Sequence, residues 1–179
     1  MPRYVALLRG INVGGKKLVP MAKLRALLEE LGHTEVATLL QSGNAVFTSK
    51  ARQPAPLVAP IEAALARTFG FEVAVIVRTR DELAAVIEAN PLPGAEAAPS
   101  RFLVTFLSGA PDPKRLRAID PAAHVPDEFR VVGREIYAYF PGGIRDSKLA
   151  AVLTSPRLGV TPTARNWSTV KKLIALADR

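Results

Sequence analysis

The chain repeats its own opening. "RFLVTFLSG", Arg101 to Gly109, echoes "RYVALLRG", Arg3 to Gly10, and the elements after each stretch follow in the same order. Apolar periodicity reads strand, helix, hairpin, helix, strand, helix in both halves. In the first half a strand at Arg3–Arg9 precedes a helix opened by Pro20, a residue suited to a first helical turn. Its stripe is Met21, Leu24, Leu27, Leu28 and Leu31, and Gly32 ends it. Strands at Glu35–Gln41 and Asn44–Ser49 close through the two-residue turn Ser42-Gly43. A helix starting at Pro56 or Pro60 runs to Phe69, followed by a strand at Val73–Thr79 and a helix at Asp81–Ala89. The second half offers a short helix around Pro113–Ile119 and a hairpin of Phe129–Val132 with Glu135–Phe140, turning at Gly133-Arg134. Then come a helix at Asp146–Leu153, a short strand at Val160–Ala164 and a helix at Ser168–Ala177. Leu83, Val86 and Ile87 line up with Val170, Leu173 and Ile174 at constant separation. The expected architecture is α+β: a βαββαβ unit with a trailing helix, duplicated, with antiparallel sheets. "NPLPGAEAAP", where Pro and Gly remove helix and ladder options, divides residues 1–90 from 100–179, with 91–99 as the linker.

That topology puts chemistry in a definite place. The first two strands of a βαββαβ unit point the same way, so the loop after strand one and the hairpin tip share one end of the sheet. Here these are Gly10–Val19 and Gln41–Asn44. Arg9, Asn12, Lys16, Gln41, Ser42 and Asn44 bring cationic and amide groups there, and Gly10, Gly14 and Gly15 allow close backbone approach. Such a set suits a small phosphorylated or carboxylate ligand. The plainer reading is that Asn12 and Asn44 satisfy turn backbones while Gly43 permits the hairpin.

Gly10 to Lys16 also reads G-x-x-x-x-G-K, most of a phosphate-cradling P-loop. Three features oppose it. Lys17 stands where Ser or Thr would hold magnesium. A helix starting at the Gly-Lys step would contain Pro20, which removes a bond and clashes with the preceding turn. The strand Val73–Val77 runs into Arg78 instead of a magnesium-binding Asp. The match is one of spacing alone, and no nucleotide hydrolysis is expected.

The chain carries 24 basic and 16 acidic residues, a net charge of +8. Gly142 to Arg179 holds seven basic residues against Asp146 and Asp178. Nucleic-acid binding by Arg145, Lys148, Arg165, Trp167, Lys171 and Lys172 is the alternative this supports, with Trp167 stacking on a base. Against it, Asn166 or Ser168 reads as a helix cap and Trp167 as its anchor. Tyr137 and Tyr139 share one face of a strand, as stacking aromatics do in RNA-recognition domains, yet Glu135-Ile136 replaces the basic-glycine entry. Strand one is apolar on both faces, so packing of the two units or a homodimer should cover its sheet.

Other classes find little support. There is no cysteine, which removes disulfides, thiolate chemistry and Cys-ligated zinc. No apolar run approaches the ~20 residues of a membrane helix, and the cytoplasm is the expected compartment. His33 and His124 read as loop residues, and no spacing marks a metal site or a cofactor. Glu29, Glu30, Glu62, Asp81, Glu82 and Glu88 read as caps and solvated helix faces. An enzyme of unknown reaction therefore ranks third, with no catalytic residue to name.

"VALLRGINVGGKKLVPMAKLRALLEELG", "QSGNAVF" and "ARNWSTVKKLIAL" together resemble the bacterial domain-of-unknown-function family 1697. The resemblance runs from Val5 to about Leu176. It implies two tandem ferredoxin-like α/β plaits, in agreement with the duplication, and it transfers no activity.

Overall fold

The computed structural model describes all 179 residues, in eight strands and six helices. Contacts group residues 1–85 with 172–179 in one unit and residues 86–171 in a second. The boundaries fall inside two helices, and the Asn90–Pro99 stretch expected as a linker belongs to the second unit. There Leu92 and Ala95 are buried and Glu96 accepts a hydrogen bond from Trp167 Nε1 (2.9 Å).

The first unit runs β1 (Arg3–Leu8), α1 (Met21–Glu30), β2 (Thr34–Leu39), β3 (Asn44–Thr48), α2 (Ala55–Phe69), β4 (Val75–Thr79) and the start of α3 (Arg80–Glu88). Its sheet has the order β2-β3-β1-β4, with every neighbouring pair antiparallel. Tyr4, Ala6 and Leu8 alternate along β1 and join Phe47 of β3 against Leu24 and Leu28 of α1 and Ile61 and Leu65 of α2. Val5 and Leu7, on the opposite face, are also fully buried. α2 begins before both of its candidate prolines, and Pro60 sits inside it. Gly70 ends it in the left-handed region (φ +78°).

The β2–β3 connection differs from expectation. It is the four residues Leu40–Gly43, because Asn44 turns inward and donates from Nδ2 to Leu39 O (2.7 Å) and Ser42 Oγ (3.0 Å). β2 also bulges near Glu35, whose φ is +50°. Arg3 spans the bulge, donating from Nη1 to Glu35 O (3.1 Å) and Thr48 Oγ1 (3.2 Å).

The second unit contains β5 (Phe102–Leu107), α4 (Pro113–Arg117), β6 (Glu128–Val132), β7 (Glu135–Tyr139), α5 (Lys148–Leu153), β8 (Pro162–Asn166) and most of α6 (Trp167–Ala177). The order β6-β7-β5-β8 is again fully antiparallel. Gly133-Arg134 forms the expected two-residue turn between paired Val132 and Glu135. Ile136, Ala138 and Phe140 pack with Leu149 and Leu153 of α5 and with Leu158. Tyr137, on the other face, is buried and donates to Val86 O (2.6 Å), so it offers no stacking surface. Burial pushes its phenol up to about 12, with Glu135 adding to the effect.

Candidate functional site

The loop after β1 folds back on itself. Val13 and Lys16 form a bridge, Lys16 N–H donates to Val13 O (3.1 Å), and Gly14 and Gly15 both take positive φ (+58° and +72°) at the tip. Two consecutive left-handed residues are what a tight two-residue turn demands, and this explains the glycine pair. α1 starts only at Met21, so its amides do not begin at the Gly15-Lys16 step as a P-loop requires.

Asn12 holds this small hairpin in place. Its Nδ2 donates to Val19 O (2.9 Å) and Gln41 O (2.6 Å), and its Oδ1 accepts from Val19 N–H (2.8 Å). Both sides of the carboxamide are therefore committed to backbone, and one bond crosses to the β2–β3 turn. A second bond crosses from Leu8 N–H to Gly43 O (2.8 Å). The two segments lie side by side, as the topology predicts. Gly43 is required for that approach: a Cβ there would stand 2.6 Å from Ile11 Cδ1 and 2.8 Å from Leu8 Cβ. Its φ of +87° is a further reason for glycine.

The expected residues thus divide by role. Asn12 and the fully buried Asn44 are scaffold. Arg9 is half-buried, with its N–H donating to Ala74 O (2.9 Å), while Lys16, Gln41 and Ser42 are exposed. Two features of this end escaped the sequence reading. Lys17 (φ +48°) donates from Nζ to Glu72 O (2.9 Å) and stands 5.9 Å from the Phe71 ring centroid. Val13, Leu18 and Leu40 keep 68%, 60% and 52% of their surface exposed, an apolar fringe around the cations. Their only sequence signal was a lack of helical or alternating partners. A groove of about 390 Å³ adjoins this end through Glu72 and Ala74. It is lined by Glu62 and Glu72 and by no cation.

Three of the four non-glycine residues with positive φ, namely Asn12, Lys17 and Leu40, lie at this end. Each such residue costs on the order of 1–2 kcal/mol and persists only where its surroundings enforce it. The arrangement can present charge on a rigid tip. Nothing in it pairs an acid with a base.

The basic C-terminal set disperses. Arg165 is 8% exposed; it donates from Nη1 to Thr163 Oγ1 (2.9 Å) and Ala164 O (2.8 Å), and burial pulls its guanidinium down to about 10. Trp167 is 3% exposed, with its ring edge-on to Phe102 at 5.4 Å. Neither can stack on a base at the surface, because both are built into the interior. Asn166 provides the cap, its Oδ1 accepting from Thr169 N–H (2.9 Å). Arg145, Lys148, Lys171 and Lys172 remain exposed, with Lys171 paired to Glu96 (3.1 Å). Trp167 N–H and then Lys171 hold the Glu96 carboxyl below its usual range. Arg78 is buried as well, opposite Val5, in the register position that Arg165 occupies opposite Val104.

His33 stacks on Phe47 at 4.5 Å, and burial holds its imidazole below the ordinary value. His124 lines a groove in the second unit. No group of three or more His, Cys, Asp or Glu side chains converges as a metal site would need, and no helix is long and apolar enough to cross a membrane.

No curated protein matches the chain. Among solved structures it is similar to that described as "The structure of conserved bacterial protein SP0830 from Streptococcus pneumoniae", at 26% identity and a TM-score of 0.79, over 100% of this chain and 99% of that one. The family model described as "Protein of unknown function (DUF1697)" matches residues 1–137, all of the first sheet and most of the second. The chain belongs to that family.

Proposed function

We propose that the protein is a binding module of two ferredoxin-like plaits related by duplication, taking a small anionic or phosphorylated ligand at the Gly10–Val19 and Gln41–Asn44 end. The common strand order supports the duplication. So does the capping after each last strand: Thr79 N–H donates to Glu82 Oε2 (2.8 Å) and Glu82 N–H to Thr79 Oγ1 (3.0 Å), and at the matching positions Thr169 N–H donates to Asn166 Oδ1 (2.9 Å) without a return bond. The observation that carries the binding reading is the Asn12 clamp, which fixes two segments into a preorganised end. In this reading Lys16, whose ammonium has no partner in the chain, supplies the charge. The exposed amides of Gly14 and Gly15 supply hydrogen bonds.

A thermal-shift screen of nucleotides and sugar phosphates tests it, since a ligand stabilises by mass action. A hit should lose roughly tenfold or more in affinity on Lys16→Ala, the loss of one charge-assisted contact. Unligated stability should not move. A screen without hits, or hits that Lys16→Ala leaves untouched, would remove the proposal.

General nucleic-acid binding is the second reading, favoured by the exposure of Arg145, Lys148, Lys171 and Lys172. With Trp167 and Arg165 buried it reduces to phosphate contacts, so binding should fall steeply with salt and show no base preference.

A further inference from the structure

The second unit carries a groove of about 450 Å³ that the sequence did not announce. Its floor is Ile119, Val152 and Leu158, and its rim carries Arg115, Arg157 and His124. The groove follows from how the unit is covered. Pro111, Pro113 and Pro121 cut α4 to five residues, and Pro156 keeps α5 at six. Three-residue and four-residue turns at Pro156–Leu158 and Pro121–His124 fill part of the space that longer helices would take.

The rim is ordered by its own bonds. Arg115 donates from Nη1 to Arg157 O (3.2 Å), and its Nε lies 3.5 Å from Asp112 Oδ2, which ties α4 to the turn carrying Arg157. The Arg157 guanidinium and the His124 imidazole have no partner in the chain, and Asp120, the one carboxylate in the lining, already accepts from Ala122 N–H (3.0 Å). An apolar floor with two guanidiniums on the rim is the usual composition of a small-molecule site, and its size falls in the range of such sites.

We infer that this groove binds an amphiphilic anion: an apolar body seated on Ile119, Val152 and Leu158, with one carboxylate or phosphate head held by Arg157 beside Arg115. A bare anion would leave the floor wet, and an uncharged apolar body would leave Arg157 unpaired, so both parts are needed. The site is independent of the loop end of the first unit.

The test uses the full chain with octanoate and octyl phosphate as probes, and acetate, inorganic phosphate and octanol as controls. Titration followed by calorimetry and by backbone amide shifts should show saturable binding of the two amphiphiles, with shifts at Ala118, Ile119, Ala123 and Val152. Comparing the two probes decides which head the rim prefers. Each control should bind at least tenfold more weakly. Arg157→Ala should weaken the amphiphiles roughly tenfold or more. Arg157→Lys should recover most of that loss. Octanol binding as well as octanoate, an unchanged affinity in Arg157→Ala, or shifts clustered elsewhere would each overturn the inference. Should Arg157→Ala not fold, the shift map of the unaltered protein decides alone.

Discussion

The two units share a strand order and differ in what lies on it. Helices of ten and fifteen residues cover the first sheet, whereas five and six residues serve the second. Strand pairing tolerates this difference because each ladder is set by its own alternation and turns. In the second half Pro121 and Pro156 follow α4 and α5 within a few residues, whereas in the first half α2 runs on through Pro60. The unit with long helices carries its exposed chemistry on loops at a sheet end, while the unit with short helices has a groove among its helices. One pattern of pairing thus supports two different surfaces.

The hairpin turns give the sharpest contrast. Gly43→Ala adds a methyl against Leu8 and Ile11 in a left-handed residue, so overpacking and backbone strain add to about 3 kcal/mol. Gly133→Ala meets nothing within 4 Å, which leaves strain alone, about 1–2 kcal/mol. Urea unfolding of the two variants measures the difference. Equal losses would mean that the first hairpin tip is not seated as described.

The loops after the first strand of each unit come next. Asn12→Ala strands three backbone groups and leaves alanine at φ +54°, a loss of about 2 kcal/mol. The counterpart is lighter: Ser108 Oγ accepts from Thr161 N–H (2.9 Å), and Ser108→Ala should cost about 1 kcal/mol. Thermal unfolding checks the order.

Tyrosine burial gives a smaller effect with a pH signature. Tyr137→Phe loses the bond to Val86 O, a cost of about 1–2 kcal/mol. The raised phenol favours its neutral form in the fold, so its contribution is complete below about pH 10 and is lost as pH rises through about 12. Tyr4, which donates to Ala51 O (2.8 Å), is shifted in the same direction by burial. The advantage of wild type over Tyr137→Phe should therefore shrink as pH rises from about 10 to about 12, so alkaline unfolding of wild type comes earlier than its neutral-pH advantage alone predicts.

The smallest effect is acidic. His33 has a depressed folded value, so its contribution is present above the ordinary value of about 6.5 and fades as pH falls below it. His33→Gln should flatten that decline. An unchanged acid limb of the stability profile would count against the Phe47 stack.

Much of this was legible before the structure. Apolar runs and alternation bounded by turn residues located all eight strands. The adjacency of Gly10–Val19 and Gln41–Asn44 followed from topology. Side-chain commitments were harder to read. Whether Asn12 faces a ligand or Val19 and Gln41 depends on a loop turning back at Gly14-Gly15, and glycine pairs permit several paths. Trp167 and Arg165 look like a binding surface in one dimension because burial depends on partners far along the chain, such as Glu96 and Phe102. The groove at Ile119 and Leu158 was invisible because empty space has no residue of its own.

The membership of residues 172–179 in the first unit has a consequence for synthesis. Arg3 donates to Ala177 O (3.3 Å) and Leu176 O (3.5 Å), and Arg80 Nε donates to Asp178 Oδ1 (2.7 Å). A ribosome adding ~5–20 residues per second needs on the order of ten seconds to make the stretch between Ala85 and Lys172. Through that interval the first sheet exists without the segment that receives Arg3, and the second unit is being made while the first waits. The order of emergence and the order of completion are therefore reversed: the unit begun first closes last.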